Sequence, residues 1–214
     1  RNMKRMAAFF SKADRVTIPG VIDALTTRHV LAMDLIKGIS PDEATGGDHA
    51  HELRSQWGVS IFTFILRNMF EFRFLHADPN LSNFAFRPDG GIIVYDFGCM
   101  KDISEPLSRG YARLVKAVLA QDYSIIPDLL KSIGVHKADG SPVPWVIIKD
   151  FADLLQEVVD PWKPYTFGED GNIYNKIVAI GQKHIDEYMT MLFPRDIVFI
   201  DRSFNGHFGN LSRL

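Results

Sequence analysis

Two short runs carry side chains whose types and spacing suit work on a charged, metal-bound ligand. The first is His76-Ala77-Asp78-Pro79-Asn80-Leu81-Ser82-Asn83, with the pattern His-x-Asp-x-x-x-x-Asn, and the second is Asp96-Phe97-Gly98. Between them lie Phe84-Ala85-Phe86, the turn residues Pro88-Asp89-Gly90-Gly91, and Ile92-Ile93-Val94-Tyr95, which together predict a β-hairpin. A hairpin returns the chain to its starting end, so Asp96 is expected beside Asn83. The amide oxygen of Asn83 and the carboxylate of Asp96 are two hard donors, the kind Mg²⁺ takes while keeping waters and phosphate oxygens. Asp78, on the loop ahead of them, can orient an attacking hydroxyl or accept its proton. Gly98 frees the backbone to swing away after the ligand.

Other elements must hold these groups in place. From about Glu52 to Phe72, Ile61, Ile65, Met69 and Phe72 recur at helical spacing, while Phe62, Phe64, Leu66 and Phe70 occupy other faces. A helix apolar nearly all round is expected to be buried. Arg1 to Lys12 reads as the tail of a helix, with Met3, Met6, Ala7 and Phe10 on one face. Residues 16–19 and 29–35 read as short strands, the second ended by Gly38, and residues 40–50 as a polar loop with a short helical turn. Beyond Lys101 the periodicity is helical. Leu107, Tyr111, Leu114 and Val118 make one stripe, and Ile126, Leu129, Leu130 and Ile133 another, closed by Gly134. Further stripes run through 147–158, 173–188 and 197–211, with a loop over 160–172.

Composition narrows the function classes. The 214 residues carry 24 Lys and Arg against 26 Asp and Glu, a net charge of −2, and 46% hydrophobic residues. That balance argues against nucleic acid as a partner, because neutralising phosphates needs a basic face. Cys99 is the single cysteine, which excludes an internal disulfide or a cysteine zinc cluster. No run approaches the ~20 apolar residues of a membrane helix.

The two chemical runs, in this order around a hairpin, belong to the signature set of protein kinases. The fold expected is therefore α+β and protein-kinase-like: a mostly helical C-lobe, a small hairpin at the active site, and a remnant of the N-lobe sheet. Residues 1–37 would be the N-lobe remnant and 38–214 the C-lobe. Met33-Asp34-Leu35-Ile36-Lys37-Gly38 falls where a kinase crosses between its lobes. There an adenine would pair with backbone groups of Asp34 and Ile36, with Met33 at the back of the pocket. ATP and Mg²⁺ are thus the expected cofactors, Asn83 and Asp96 the metal ligands, and Asp78 with His76 the catalytic pair. Helical pattern resumes within about ten residues of Gly98 without an Ala-Pro-Glu, which weighs against a protein substrate.

Other polar residues have plainer readings. His49 and His51, two apart with no third ligand nearby in sequence, fit a solvated loop better than a metal site. Cys99 fits a small packing residue, His184 a hydrogen-bonded core histidine, and the Phe and Met stripes of 59–75 a core.

Thr26-Thr27-Arg28-His29-Val30-Leu31-Ala32-Met33-Asp34, Phe74-Leu75-His76-Ala77-Asp78-Pro79 and Tyr95-Asp96-Phe97-Gly98 resemble the UbiB atypical-kinase family, which includes the coenzyme Q kinase-like proteins. The tail Pro194-Arg195-Asp196-Ile197-Val198-Phe199-Ile200-Asp201-Arg202, with Gly206 beyond, is also similar to that family's last helix. The resemblance implies Mg²⁺-dependent ATPase or small-molecule phosphotransfer in support of ubiquinone-type prenyl-lipid synthesis. It also implies peripheral contact with a membrane, at the bacterial cytoplasmic face or the mitochondrial matrix side. The family's His-Pro-Gly stands here as Asn80-Leu81-Ser82, which alters the turn but leaves Asp78 and Asn83 in register. The family's phosphate-gripping Lys and nucleotide loop have no counterpart in these residues, so a piece of a longer protein, inactive alone, is expected. Two other functions fit the same residues: an aminoglycoside- or choline-type phosphotransferase, and a pseudokinase scaffold that binds nucleotide or lipid.

Overall fold

The computed structural model describes residues 1–10, 14–168 and 173–214. Helix α1 (Asn2–Ala7) buries Met3 and Met6; the rest of the helix tail expected up to Lys12 falls partly outside the described residues. Strand β1 (Val16–Thr17) follows. The strand expected over 29–35 does not form. Thr27 holds that stretch in a local turn, its N–H donating to the Val30 carbonyl at 2.8 Å and its hydroxyl accepting from the Val30 N–H at 3.1 Å. Only Met33 makes a bridge, antiparallel to Val21.

The polar loop at 40–50 contains a full helix, α2 (Pro41–Gly46), because its first turn is closed by side chains. The Ser40 hydroxyl accepts from the Glu43 N–H at 3.3 Å, and the Glu43 carboxylate accepts from the Ser40 N–H at 2.9 Å. This reciprocal capping box satisfies two otherwise orphaned donors, with Pro41 pre-set at the first helical position.

The long apolar run folds as α3 (His51–Leu66) and one π-type turn, Arg67–Glu71. It is less enclosed than its composition suggests: Trp57, Ser60, Ile61, Phe64 and Ile65 are buried, whereas Val59 and Thr63 face solvent. The hairpin strands β3 (Phe84–Phe86) and β4 (Ile92–Val94) pair with Phe84 opposite Val94, and β1 adds to β4 in parallel. Helix α3 fastens the tip of that hairpin. The Trp57 indole donates to the Arg87 carbonyl and the Ser60 hydroxyl to the Gly90 carbonyl, both at 2.7 Å. A second ladder joins β2 (Phe74–His76) to β5 (Met100–Asp102). Trp57, Phe64, Phe84, Phe86, Met69 and Leu75 are among the largest fully buried side chains, so the core lies directly beneath the two motifs.

Residues 1–102 and 202–214 pack as one compact unit and residues 103–201 as another. These packing cuts are a different division from a lobe boundary at residue 37. The second unit holds α4 (Glu105–Leu119), α5 (Ile126–Ser132), α6 (Trp145–Val159), α7 (Ile173–Lys183) and α8 (Ile185–Tyr188). It also contains a short ladder of β6 (His136–Lys137) with β7 (Met191–Leu192). Helix α5 ends as its sequence indicates. Gly134, at φ +85°, lets its own N–H reach the Lys131 carbonyl and the Val135 N–H reach the Leu130 carbonyl, the Schellman pattern. The stripe over 173–188 is interrupted at His184, whose ring nitrogen lies 2.7 Å from the Asp150 carboxylate. That makes it a hydrogen-bonded, largely buried histidine. The last helix, α9 (Ile197–Leu211), contributes its residues from 202 onward to the first unit.

Candidate active site at the Asp78 loop

The β2–β5 ladder sets where the loop begins. Its pairing continues one residue past His76, with the Ala77 N–H donating to the Cys99 carbonyl at 2.9 Å. Asp78 is therefore the first residue free of the sheet. The loop then closes on itself without a Pro-Gly pair. The Asn80 side chain accepts from the Ser82 N–H at 3.0 Å and caps a single 3₁₀ turn, Leu81–Asn83.

That turn brings Asn83 back to Asp78. The Asn83 amide donates to the Asp78 carboxylate at 2.9 Å and lies 3.4 Å from the Asp78 carbonyl. With its nitrogen so engaged, the Asn83 amide oxygen has no partner among the described residues. The other Asp78 oxygen lies 3.6 Å from the Arg202 guanidinium on α9. Across the hairpin, the Tyr95 N–H donates to the Asn83 carbonyl at 2.9 Å, so Asp96 stands one residue beyond Asn83's partner. One Asp96 oxygen accepts from the Gly98 N–H at 2.7 Å, and the carboxylate is open to solvent. The structure thus gathers Asp78, Asn83 and Asp96 at one end of the hairpin. Two hard oxygens with room for water and phosphate fit Mg²⁺.

His76 lies under this group rather than in it. It is 2% exposed, its Nε2 sits 2.7 Å from the Asp96 carbonyl, and the rings of Phe64, Phe84, Phe97 and His207 surround it. Burial pushes its pKa down, which keeps the ring neutral and suits a support for Asp96 rather than a proton donor. His207, fully buried beside it, is driven down to about 3 by burial and then by His76.

Sequence reasoning did not single out the α9 side chains that hold the loop from behind. The Ser203 hydroxyl donates to the His76 carbonyl at 2.8 Å, and the Asn210 amide donates to the Pro79 carbonyl at 2.6 Å. Gly206 faces the Pro79 ring so closely that a Cβ there would lie 2.1 Å from it. The family-like tail over 194–202, with Gly206 beyond, brackets Ser203 and stops short of Asn210.

At the expected adenine edge, the Asp34 N–H donates to the Gly20 carbonyl at 2.9 Å, and the Ile36 carbonyl accepts from the Tyr95 hydroxyl at 2.9 Å. The Asp34 carbonyl and the Ile36 N–H point to no partner among the described residues, leaving one acceptor and one donor. Met33 is half-buried next to them. Elsewhere, His49 packs edge-on against Trp57 and His51 is exposed at the start of α3. Cys99 is half-buried beneath the Asp96 turn.

The loop, the hairpin and the Asp-Phe-Gly turn thus define a kinase-like architecture. The same fold is seen in the Rv3197–erythromycin complex from Mycobacterium tuberculosis, with a TM-score of 0.73 and 16% identity, covering 99% of this chain and 52% of that one. The family model for the ABC1 atypical kinase-like domain matches residues 1–130, and the chain belongs to that family. Among curated relatives, the mitochondrial atypical kinase COQ8B of Danio rerio is 34% identical over 54% of this chain and 18% of its own length. The chloroplastic protein ACTIVITY OF BC1 COMPLEX KINASE 3 of Arabidopsis thaliana is 24% identical over 72% of this chain and 22% of its own. The alignments span about a fifth of these relatives.

Proposed function

We propose that this chain carries the catalytic-loop and metal-ligand half of an ATP- and Mg²⁺-dependent atypical kinase or ATPase, serving ubiquinone-type prenyl-lipid synthesis. The observation that carries the reading is the 2.9 Å contact between Asn83 and Asp78, made at the hairpin end that also bears Asp96. Asp78 orients the attacking oxygen, of a small molecule, a prenyl lipid or water, and accepts its proton. Asn83 and Asp96 hold the metal, and Arg202 neutralises Asp78 until substrate arrives. Bound Mg²⁺ supplies neutralisation of phosphate charge. His76 positions Asp96 through its carbonyl, while Met33, Asp34 and Ile36 form the adenine edge. The names of the relatives support a mitochondrial or plastid setting. No helix among the described residues is long and apolar enough to cross a membrane.

The test is thermal stabilisation by millimolar Mg·ATP. Asp96→Asn removes the one carboxylate assigned to the metal and should abolish the Mg²⁺-dependent part of the shift. A shift unchanged in that variant overturns the metal assignment.

A further inference from the structure

Within the unit of residues 103–201 lies a half-open cavity of about 200 Å³, lined from α4, α5, α6, the β6–β7 region and the start of α9. Protein interiors pack densely, and voids larger than a water molecule are few. This one exceeds the about 150 Å³ in which a dry apolar cavity takes up benzene. Its lining is Leu, Ile, Val, Ala, Met and Phe, with two exceptions: Tyr111 and Tyr188. Neither tyrosine hydroxyl has a hydrogen-bond partner among the described residues. Burial raises the pKa of both, and the nearby Asp201 carboxylate raises them further, so both hydroxyls stay protonated. Phe193, at 38% the most exposed of the lining residues, marks the mouth, with Leu192 and Met189 exposed next to it.

We propose that this cavity is a binding site for one uncharged hydrocarbon tipped with a single hydroxyl or carbonyl, the size of a short lipid chain. The apolar wall takes the hydrocarbon by removing it from water. The tyrosine hydroxyls are the groups able to bond its oxygen. A carboxylate would have to leave water for a wall that carries no cation, which separates this ligand from a fatty acid. The site shares no residue with the Asp78 loop, so it stands or falls apart from nucleotide binding.

The experiment titrates the chain with 1-octanol, geraniol and octanoate, read by calorimetry and by saturation-transfer NMR. Expected is saturable binding of 1-octanol or geraniol at one site, with octanoate at least tenfold weaker. Stronger binding of geraniol assigns the tail as isoprenoid, and stronger binding of octanol assigns it as linear. Ala152→Phe, which fills the cavity from α6, should weaken the alcohols at least tenfold. Tyr111→Phe should weaken them about fivefold and narrow the margin over octanoate. Should Ala152→Phe fail to fold, the wild-type alcohol-to-octanoate ratio and the Tyr111→Phe variant decide the matter. No saturable binding, equal binding of octanoate, or undiminished binding in a folded Ala152→Phe chain overturns the proposal.

Discussion

The hydroxyl of Ser203 donates to the main-chain carbonyl of His76 across 127 positions of sequence, at 2.8 Å. Both residues are buried, so the bond is made where water cannot replace it. Ser203→Ala leaves the His76 carbonyl unsatisfied and should destabilise the chain by about 1–3 kcal/mol. Urea denaturation checks this, and a loss below a few tenths of a kcal/mol would show that the carbonyl finds another partner.

Two glycines on α9 should respond in opposite ways to the same change. At Gly206 a new Cβ meets the Pro79 ring at 2.1 and 2.5 Å, and a proline ring cannot step aside. Gly206→Ala should therefore cost about 1–3 kcal/mol and displace the loop that carries Asp78. At Gly209 nothing lies within 4 Å, so Gly209→Ala should stabilise the helix by about 0.5–1 kcal/mol. Thermal melts of the pair give the comparison directly.

Asp78 contacts Asn83 and Arg202 but is not a metal ligand in this assignment. In a chain that turns over ATP, Asp78→Asn should lower turnover by about 10²–10⁴ while leaving nucleotide affinity nearly unchanged. Steady-state ATPase rates and calorimetry separate the two quantities. Loss of both in parallel would make Asp78 structural.

Stability should fall in acid because of His207. Its ordinary pKa is 6.5, and burial holds it at about 3 in the fold. Above pH 6.5 both folded and unfolded chains leave it neutral, and it contributes no pH dependence. Below that, the unfolded chain takes a proton the folded chain refuses, so stability drops by up to about 1.4 kcal/mol per pH unit until about pH 3. The ring faces Phe84, His76 and Asn210, which offer no carboxylate to offset the charge. His207→Phe should flatten the profile between pH 6.5 and 4, measured by denaturation at several pH values. A slope unchanged in that variant assigns the acid sensitivity elsewhere.

The parts of the site legible in sequence were those made by neighbours in the chain. Turn residues at 88–91 between two apolar triplets specify the hairpin, and the hairpin alone brings Asp96 to Asn83. The β2–β5 pairing was not legible, because Phe74-Leu75-His76 and Met100-Lys101-Asp102 show no shared pattern until the chain folds. Ser203, His207 and Asn210 escaped notice for a related reason. On a helical stripe they look like any polar residues, and only distance in space reveals what they touch. Residues 29–35 carry the strand-like types Val30, Leu31 and Leu35, yet the Thr27 turn governs their backbone.

The anchoring of the Asp78 loop by α9 also fixes an order of events during synthesis. The strand ladders and the bonds from α3 to the hairpin tip can form as soon as residue 102 has emerged, since both sides of each are then present. The bonds from Ser203 and Asn210 close only after a further hundred or so residues have left the ribosome. A nascent chain at synthesis rates of about 5–20 residues per second therefore spends several seconds with Asp78 in place but untethered. The apolar floor beneath the loop is uncovered for that interval, which makes it a surface for a chaperone to shield.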